Sequence, residues 1–241
     1  MIQKFIKAVI CANEEISELL SHGLRNDFYQ PIAQGFGGDI SSKIDVLAEN
    51  IFIKHLHLFG TIYSEEKGII PAKSAYTIII DPIDGSDNFH SKIPYFGTSV
   101  ALKRNNKTLV AVIVNLANND IFIKDTKRFV RGKLHAKLLM NVCKNPYAKS
   151  GIFERSYCSK IIAPKLLEEE IKYRSPGAFA LSLAYAHDVS FVLYEGSMRI
   201  FDIAAGLYMC ADLYVKSVDQ ILLVSKDKET FDKMSGFIFK P

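Results

Sequence analysis

The chain has 241 residues, 49% of them hydrophobic and 23% charged, with 14 Gly, 8 Pro and no Trp. At roughly 150 residues per domain this length fits one substantial domain or two packed lobes, and the composition excludes a disordered or collagen-like chain. A formal charge of +4, from 30 basic and 26 acidic residues, is too small for a dedicated nucleic-acid binder but suits attraction of a small anion.

The first element is an amphipathic helix. Ile2, Phe5, Ile6, Val9, Ile10, Ile16, Leu19 and Leu20 recur at helical spacing over 2–20. Its longest apolar stretch, Ala8 to Ala12, is too short for a signal-peptide core, and no run of about 18 apolar residues suggests a membrane span anywhere. Cys11, Cys143, Cys158 and Cys210 lie far apart without a CxxC pair; neither a zinc ribbon nor a disulfide scaffold is indicated, and a reducing cytoplasm is the expected compartment.

A turn-rich loop with Gly35, Gly37 and Gly38 follows, then a second helix over Ile44 to Leu56 with Ser41 or Ser42 as its N-cap. His55 and His57 do not share a face of that helix and make poor joint ligands. Tyr76 to Ile80, Thr98 to Lys103, Leu109 to Val114 and Ile121 to Lys124 read as strands, each β-branched or aromatic-rich and bounded by turn residues.

The basic stretch Lys124, Lys127, Arg128, Arg131, Lys133 and Lys137 reads as a solvated face. Beyond it, apolar runs at Leu138 to Cys143, Val189 to Tyr194 and Ile221 to Val224 alternate with helical patterns at Pro176 to Ala186 and Ile203 to Tyr214. The expected organisation is an α+β lobe over 1–130 and an α/β lobe over 131–241, joined as one unit.

Chemistry concentrates at Asp81-Pro82-Ile83-Asp84-Gly85-Ser86-Asp87-Asn88-Phe89, directly after a strand. Asp81 stands at the strand end, Pro82 stiffens the turn and Asp84 returns a second carboxylate. Gly85 and Ser86 could open a helix whose free N–H groups bind an anion. Two carboxylates would repel that anion unless a hard divalent cation sits between them. Two further acidic segments flank the motif: Ser64-Glu65-Glu66-Lys67-Gly68 upstream, and Phe201-Asp202-Ile203-Ala204-Ala205-Gly206 downstream. Read alone, the first is a solvated turn and Asp202 a helix cap.

The ordered combination of the Glu pair, DPIDGSDNF and FDIAAG resembles the inositol monophosphatase family of magnesium-dependent, lithium-sensitive phosphatases, over nearly the whole chain. The resemblance implies a layered αβαβα sandwich of the sugar-phosphatase type and a homodimer. By position, Glu65, Asp81, Asp84, Asp202 and the Ile83 carbonyl look like ligands for more than one Mg2+. Glu65 and Ser86 look like the residues that position the attacking water, and Asp45 like the acid supporting that hydroxyl. Gly85 and Ser86 would donate backbone N–H groups to the phosphate. Four carboxylates converging at about 5 Å would repel by roughly 3 kcal/mol per pair at an effective dielectric of 20, so cations are required.

For the substrate, the resemblance implies a small phosphorylated polyol or sugar such as inositol 1-phosphate. Glu195 matches a position that binds substrate hydroxyls, and Gly177 and Ala178 a segment beside the substrate, although Ser175-Pro176 also reads simply as N-cap and first helical residue. The GFGGDISSKIDVLAEN segment and Arg199 are similar to the archaeal-type branch that also hydrolyses fructose 1,6-bisphosphate, where Arg199 could hold a second phosphate. Asp87 stands where branches acting on nucleotide or histidinol phosphates carry a Lys. His90 is expected to face solvent or support structure. The glycine-rich hairpin usual in the family is reduced to KRFVRGKLH, and Phe201 replaces its usual Trp. A third reading, binding of RNA or the transcription machinery, rests on the basic stretch alone, so a nucleic-acid partner is not expected.

Overall fold

Alternate residues of the strand Tyr76–Asp84 face opposite ways, and each face finds its own core: Ile78 and Ile80 in one, Ile79 in another. In the computed structural model, which describes residues 1–239, the chain first forms α1 (Ile2–Ser21), β1 (Pro31–Gln34), β2 (Ile40–Ser42), α2 (Lys43–Leu56), β3 (Thr61–Ser64), β4 (Gly68–Ile70), β5 (Tyr76–Asp84) and the short α3 (Ser86–His90). Then come β6 (Gly97–Arg104), β7 (Lys107–Asn115), β8 (Asp120–Asp125), β9 (Phe129–Lys133), β10 (Leu139–Asn141), β11 (Gly151–Glu154) and α4 (Ile162–Glu168). The rest is β12 (Tyr173–Arg174), α5 (Phe179–Ala184), β13 (Phe191–Glu195), α6 (Ile200–Met209), β14 (Tyr214–Val218), β15 (Ile221–Ser225) and α7 (Lys228–Ile238).

Eight strands make the first sheet in the order β10-β9-β8-β7-β6-β5-β3-β4, antiparallel except where β3 runs beside β5. A second sheet has the order β12-β11-β13-β15-β14, with β12, β11 and β13 parallel to one another. Helices α1 and α2 cover the outer face of the first sheet through Phe5, Val9, Ile44, Ala48 and Phe52. On its inner face, Ile79, Ala101, Ala111 and Ile113 pack against Leu181 and Ala184 of α5 and Phe201, Ala205 and Met209 of α6. The opposite sides of those helices, through Phe179, Leu183, Ile203 and Leu207, meet Val192, Leu222 and Val224 of the second sheet. Beyond it lie α4 and α7, with Leu166 and Met234 against Phe153, Leu193 and Leu223. The layers are therefore αβαβα, as the sequence implied, and no helix among the described residues is long and apolar enough to cross a membrane.

Several boundaries differ from the sequence reading. β5 runs through the predicted turn to Asp84, because a bulge between Asp81 and Asp84 absorbs the ladder bond that Pro82 cannot donate. The run Leu138 to Cys143 is the edge strand β10 of the first sheet, with Leu138 and Met140 exposed. That sheet thus continues past residue 130 to Asn141, and the second begins at Gly151. The helix expected over 203–214 starts at Ile200 and ends at Met209, and Tyr214 opens β14. The helix expected from Pro176 starts only at Phe179. Ser175 and Pro176 do not cap it, because Gly177 takes φ +88° and Ala178 is extended.

Candidate active site

The carboxylates meet at the end of the first sheet that faces α6. Glu65 lies in the turn between β3 and β4, and its N–H donates to the Ile80 carbonyl at 3.2 Å, which seats it beside Asp81. Asp202 is the third residue of α6, where its carboxylate accepts from the Arg199 N–H at 3.4 Å and so caps the helix. Carboxylate oxygens of Glu65, Asp81 and Asp202 all lie within 4.8 Å of one another, and all three residues are buried.

Asp84 does not join that group of three. Its Oδ2 accepts the Leu181 N–H at 2.8 Å, and the residue lines an adjoining cavity of about 490 Å³. Gly85, Ser86, Gly177, Arg199 and Asp202 line the same cavity. Gly85 holds φ +85°, and a Cβ there would lie 2.8 Å from the Ala178 Cβ and 3.1 Å from the Tyr95 carbonyl oxygen. Only glycine fits such a left-handed, crowded position. Asn88 ties α3 to two other segments, donating from Nδ2 to the Tyr95 carbonyl at 2.7 Å and to the Pro176 carbonyl at 2.6 Å.

The remaining site residues divide. Asp45 caps α2, its Oδ2 accepting from the Ser42 N–H at 2.7 Å and the Ser42 hydroxyl at 2.6 Å; among the described residues no hydrogen bond joins it to Ser86. Glu195 ends β13 with its Oε2 buried and unpartnered, and it is not part of the cavity wall. Ala178, the N-cap of α5, is buried behind Gly177. Ile83 is buried in the bulged part of β5. Phe201 packs under the acids with its ring centroid 4.9 Å from that of Tyr63. His90 is exposed and stacks edge-on with Tyr29 at 5.7 Å.

Residues that were not singled out from the sequence complete the wall. Glu154, the last residue of β11, accepts from the Gly177 N–H at 2.9 Å and the Ser182 hydroxyl at 2.5 Å, and it is buried without a cationic partner. Arg155, Tyr157 and Tyr194 face the same space. From above, the loop between β1 and β2 closes on the Glu pair: the Gly37 N–H donates to the Glu65 carbonyl at 2.7 Å, and a Cβ on Gly37 would lie 2.7 Å from the Glu65 Cγ. Asp39 of that loop reaches Arg199, with 2.6 Å between Oδ2 and Nη1. The GFGGD string signalled a tight turn, but nothing in it announced that the turn would dock on Glu65.

Burial dominates the electrostatics. It pushes Asp81 well above the usual carboxylate range, and the neighbouring Glu65 pushes in the same direction. Asp84 also rises through burial, opposed by the Leu181 N–H. Glu65 is pushed up to about 7 by burial, with Arg199 opposing, and Glu66 up to about 7 by burial, with the Ser41 hydroxyl opposing. Asp81 Oδ1 is buried with no hydrogen-bond partner. A set of hard oxygen donors that includes an orphaned buried carboxylate oxygen fits divalent cations. Away from the site, Lys127, Arg128, Lys133 and Lys137 of the basic stretch are exposed, as a solvated face requires, and Lys124, Arg128, Arg131 and Lys133 pair with Asp212, Asp125, Asp188 and Asp120.

Comparison with known proteins agrees with this geometry. The description of the inositol monophosphatase family matches residues 2–212. A fructose-1,6-bisphosphatase of Pyrococcus furiosus is 34% identical over 151 residues, which cover 61% of this chain but only 56% of that protein. A fructose-1,6-bisphosphatase/inositol-1-monophosphatase of Methanocaldococcus jannaschii is 27% identical over 209 residues, covering 83% of this chain and 80% of its own. A crystal structure titled inositol monophosphatase-fructose 1,6 bisphosphatase shares the fold at TM-score 0.80 and 21% identity, over 97% of this chain and 99% of that one.

Proposed function

The chain belongs to the inositol monophosphatase family of metal-dependent phosphatases, and on that premise we propose that it hydrolyses the phosphate monoester of a small polyol or sugar, such as inositol 1-phosphate. The observation that carries this reading is the meeting of Glu65, Asp81 and Asp202 beside a cavity lined by Asp84, Gly85 and Ser86, with Asp202 common to both. Magnesium suits the oxygen donors; Glu65, Asp81, Asp84, Asp202 and the Ile83 carbonyl would hold it, in more than one ion because so many buried acids need neutralising. When bound, these cations supply positive charge for the phosphate and acidify coordinated water.

The chain's own groups do the rest. Glu65, ionised when the cations are bound, positions the attacking water and accepts its proton. The Ser86 hydroxyl, at the head of α3, orients that water. The N–H groups of Gly85 and Ser86 hold the ester oxygens, while Asp45 fixes the start of α2 through Ser42. Tyr157, Ser175 and Ser197 line the cavity and can meet substrate hydroxyls, with Glu195 at the end of β13 as a further acceptor.

A second reading, fructose 1,6-bisphosphate as main substrate, is favoured by one observation: Arg155 and Arg199 line the same cavity as Ser86. A monoester needs one anion site, and a second guanidinium suits a second phosphate. The deciding experiment is phosphate release from inositol 1-phosphate, fructose 1,6-bisphosphate and a set of other sugar phosphates with magnesium, with and without lithium. Release that depends on magnesium is the expected result; no release from any ester overturns the proposal.

A further inference from the structure

Arg199 stands among the acids as a cation would. Its Nη1 lies 2.6 Å from Glu65 Oε1 and 2.6 Å from Asp39 Oδ2, while its Nε lies 3.2 Å from Asp202 Oδ2. Its Nη2 donates to Asp202 Oδ1 at 3.3 Å. One guanidinium thus bridges two of the three clustered acids, Glu65 and Asp202, and fastens the loop carrying Asp39 over them. It makes no hydrogen bond to Asp81, whose Oδ1 stays buried and unpartnered beside it.

We propose that Arg199 is a resident counter-ion of the metal site, so that its guanidinium and the metal ions are alternative occupants of the Glu65 and Asp202 oxygens. The proposal rests on the metal site assigned under Proposed function. Arg199 meets both oxygens of Asp202 and Oε1 of Glu65, so a divalent cation on those oxygens stands close to the guanidinium and the two positive charges repel. Each carboxylate oxygen keeps a further lone pair, so it is this repulsion, not a lack of acceptor sites, that drives Arg199 off the acids on loading.

The surroundings allow that movement. Arg199 is the N-cap residue of α6, so its backbone stays fixed three residues ahead of Asp202 while its side chain borders the cavity. Asp39 is largely exposed on the loop between β1 and β2. Once off Glu65 and Asp202, the guanidinium is still at the cavity wall, now with donors free for an anion. Binding of a substrate phosphate by Arg199 is then contingent on metal loading, because the same N–H groups cannot serve both.

The test is titration of the metal-stripped protein with magnesium, read by calorimetry and by the shift in melting temperature, with no ester present. Arg199→Gln keeps length and polarity but removes the competing charge. It is expected to lower the melting temperature of the stripped protein while tightening magnesium binding about tenfold. Equal or weaker magnesium binding by Arg199→Gln overturns the proposal. Should that variant not fold without metal, Arg199→Lys, which loses the fork and keeps the charge, is expected to tighten binding about threefold, and unchanged or weaker affinity overturns the idea equally. Failure of every ester in the activity assay would leave this outcome untouched, whereas absence of magnesium binding by the wild type and the variants alike would sink the metal site and the proposal together.

Discussion

Asp84 Oδ2 accepts the backbone N–H of Leu181 at 2.8 Å, so the carboxylate that ends β5 also holds the start of a helix packed between the two sheets. Asparagine can keep that acceptor while losing the charge. Asp84→Asn is therefore expected to melt within a few degrees of the wild type and to lose magnesium-dependent phosphate release by at least about 100-fold. Phosphate assay and thermal melt on one preparation check both halves, and full activity would remove Asp84 from the metal ligands.

Gly85 carries the conformational demand of the motif. Alanine there must hold φ +85° with its Cβ 2.8 Å from that of Ala178. Gly85→Ala is expected to cost about 1–3 kcal/mol in urea denaturation and to move Ser86 enough to depress turnover. A neutral effect on both would mean that the contact of Gly85 with Ala178 and Tyr95 yields more easily than its packing indicates.

Glu154 supports the loop at Gly177 rather than touching the cluster. Glu154→Ala strips the Gly177 N–H and the Ser182 hydroxyl of their acceptor, an expected loss of about 3 kcal/mol. Glu154→Gln keeps one acceptor and gains a donor that the hydroxyl can meet, so its expected loss is about 1 kcal/mol. Equal destabilisation by the two variants would point to a need for the charge itself.

The buried carboxyls set the direction of the pH dependence. Glu66 rises from 4.5 to about 7 through burial, so in that interval the folded protein holds a proton that the unfolded chain has released. This contribution to stability is complete below about 4.5 and is lost as pH climbs through about 7. Metal-stripped protein is expected to weaken over that window. Magnesium, which takes ionised carboxylates, is expected to bind more tightly over the same window as Glu65 also ionises near 7. Melting curves with and without magnesium at several pH values would show the two trends diverging, and parallel trends would contradict the burial argument.

Arg155 separates the two substrate readings. It lines the cavity, donates from Nη1 to the Tyr194 hydroxyl at 3.4 Å and touches none of the clustered acids. Arg155→Ala is expected to raise KM for fructose 1,6-bisphosphate about tenfold and leave inositol 1-phosphate nearly unchanged. Equal effects on the two would argue against a second-phosphate role.

Much of this was legible from residue order because local chemistry and global fold agree in the motif segments. DPIDGSDNF, the Glu pair and FDIAAG each carry their own turn or cap, and Glu65, Asp81 and Asp202 converge because the strand ends and the α6 N-terminus face one point. The strands β5 to β8 were visible through alternation and turn residues. What stayed hidden depends on distant partners. Glu154 at the end of a short apolar strand looks like any solvated acid until Gly177 and Ser182 arrive from more than 20 residues away. Arg199 was read as a residue for a second phosphate, and its contacts with Glu65 and Asp39 stayed hidden because both partners are remote in sequence. The helix expected at Pro176 begins late because Gly177 is left-handed and Ala178 extended, and α7 escaped notice although Asp227 caps it by accepting the Thr230 N–H at 2.7 Å.

Helices α5 and α6 belong to neither sheet. Phe201, Ala205 and Met209 lean on the first, Ile203 and Leu207 on the second. A chain cut between Asn141 and Gly151 would leave one fragment with a bare sheet and the other with a bare pair of helices, each an aggregation hazard when made alone. The carboxylate cluster, drawing Glu65 and Asp81 from before that cut and Asp202 from after it, exists only at a seam that the whole chain closes.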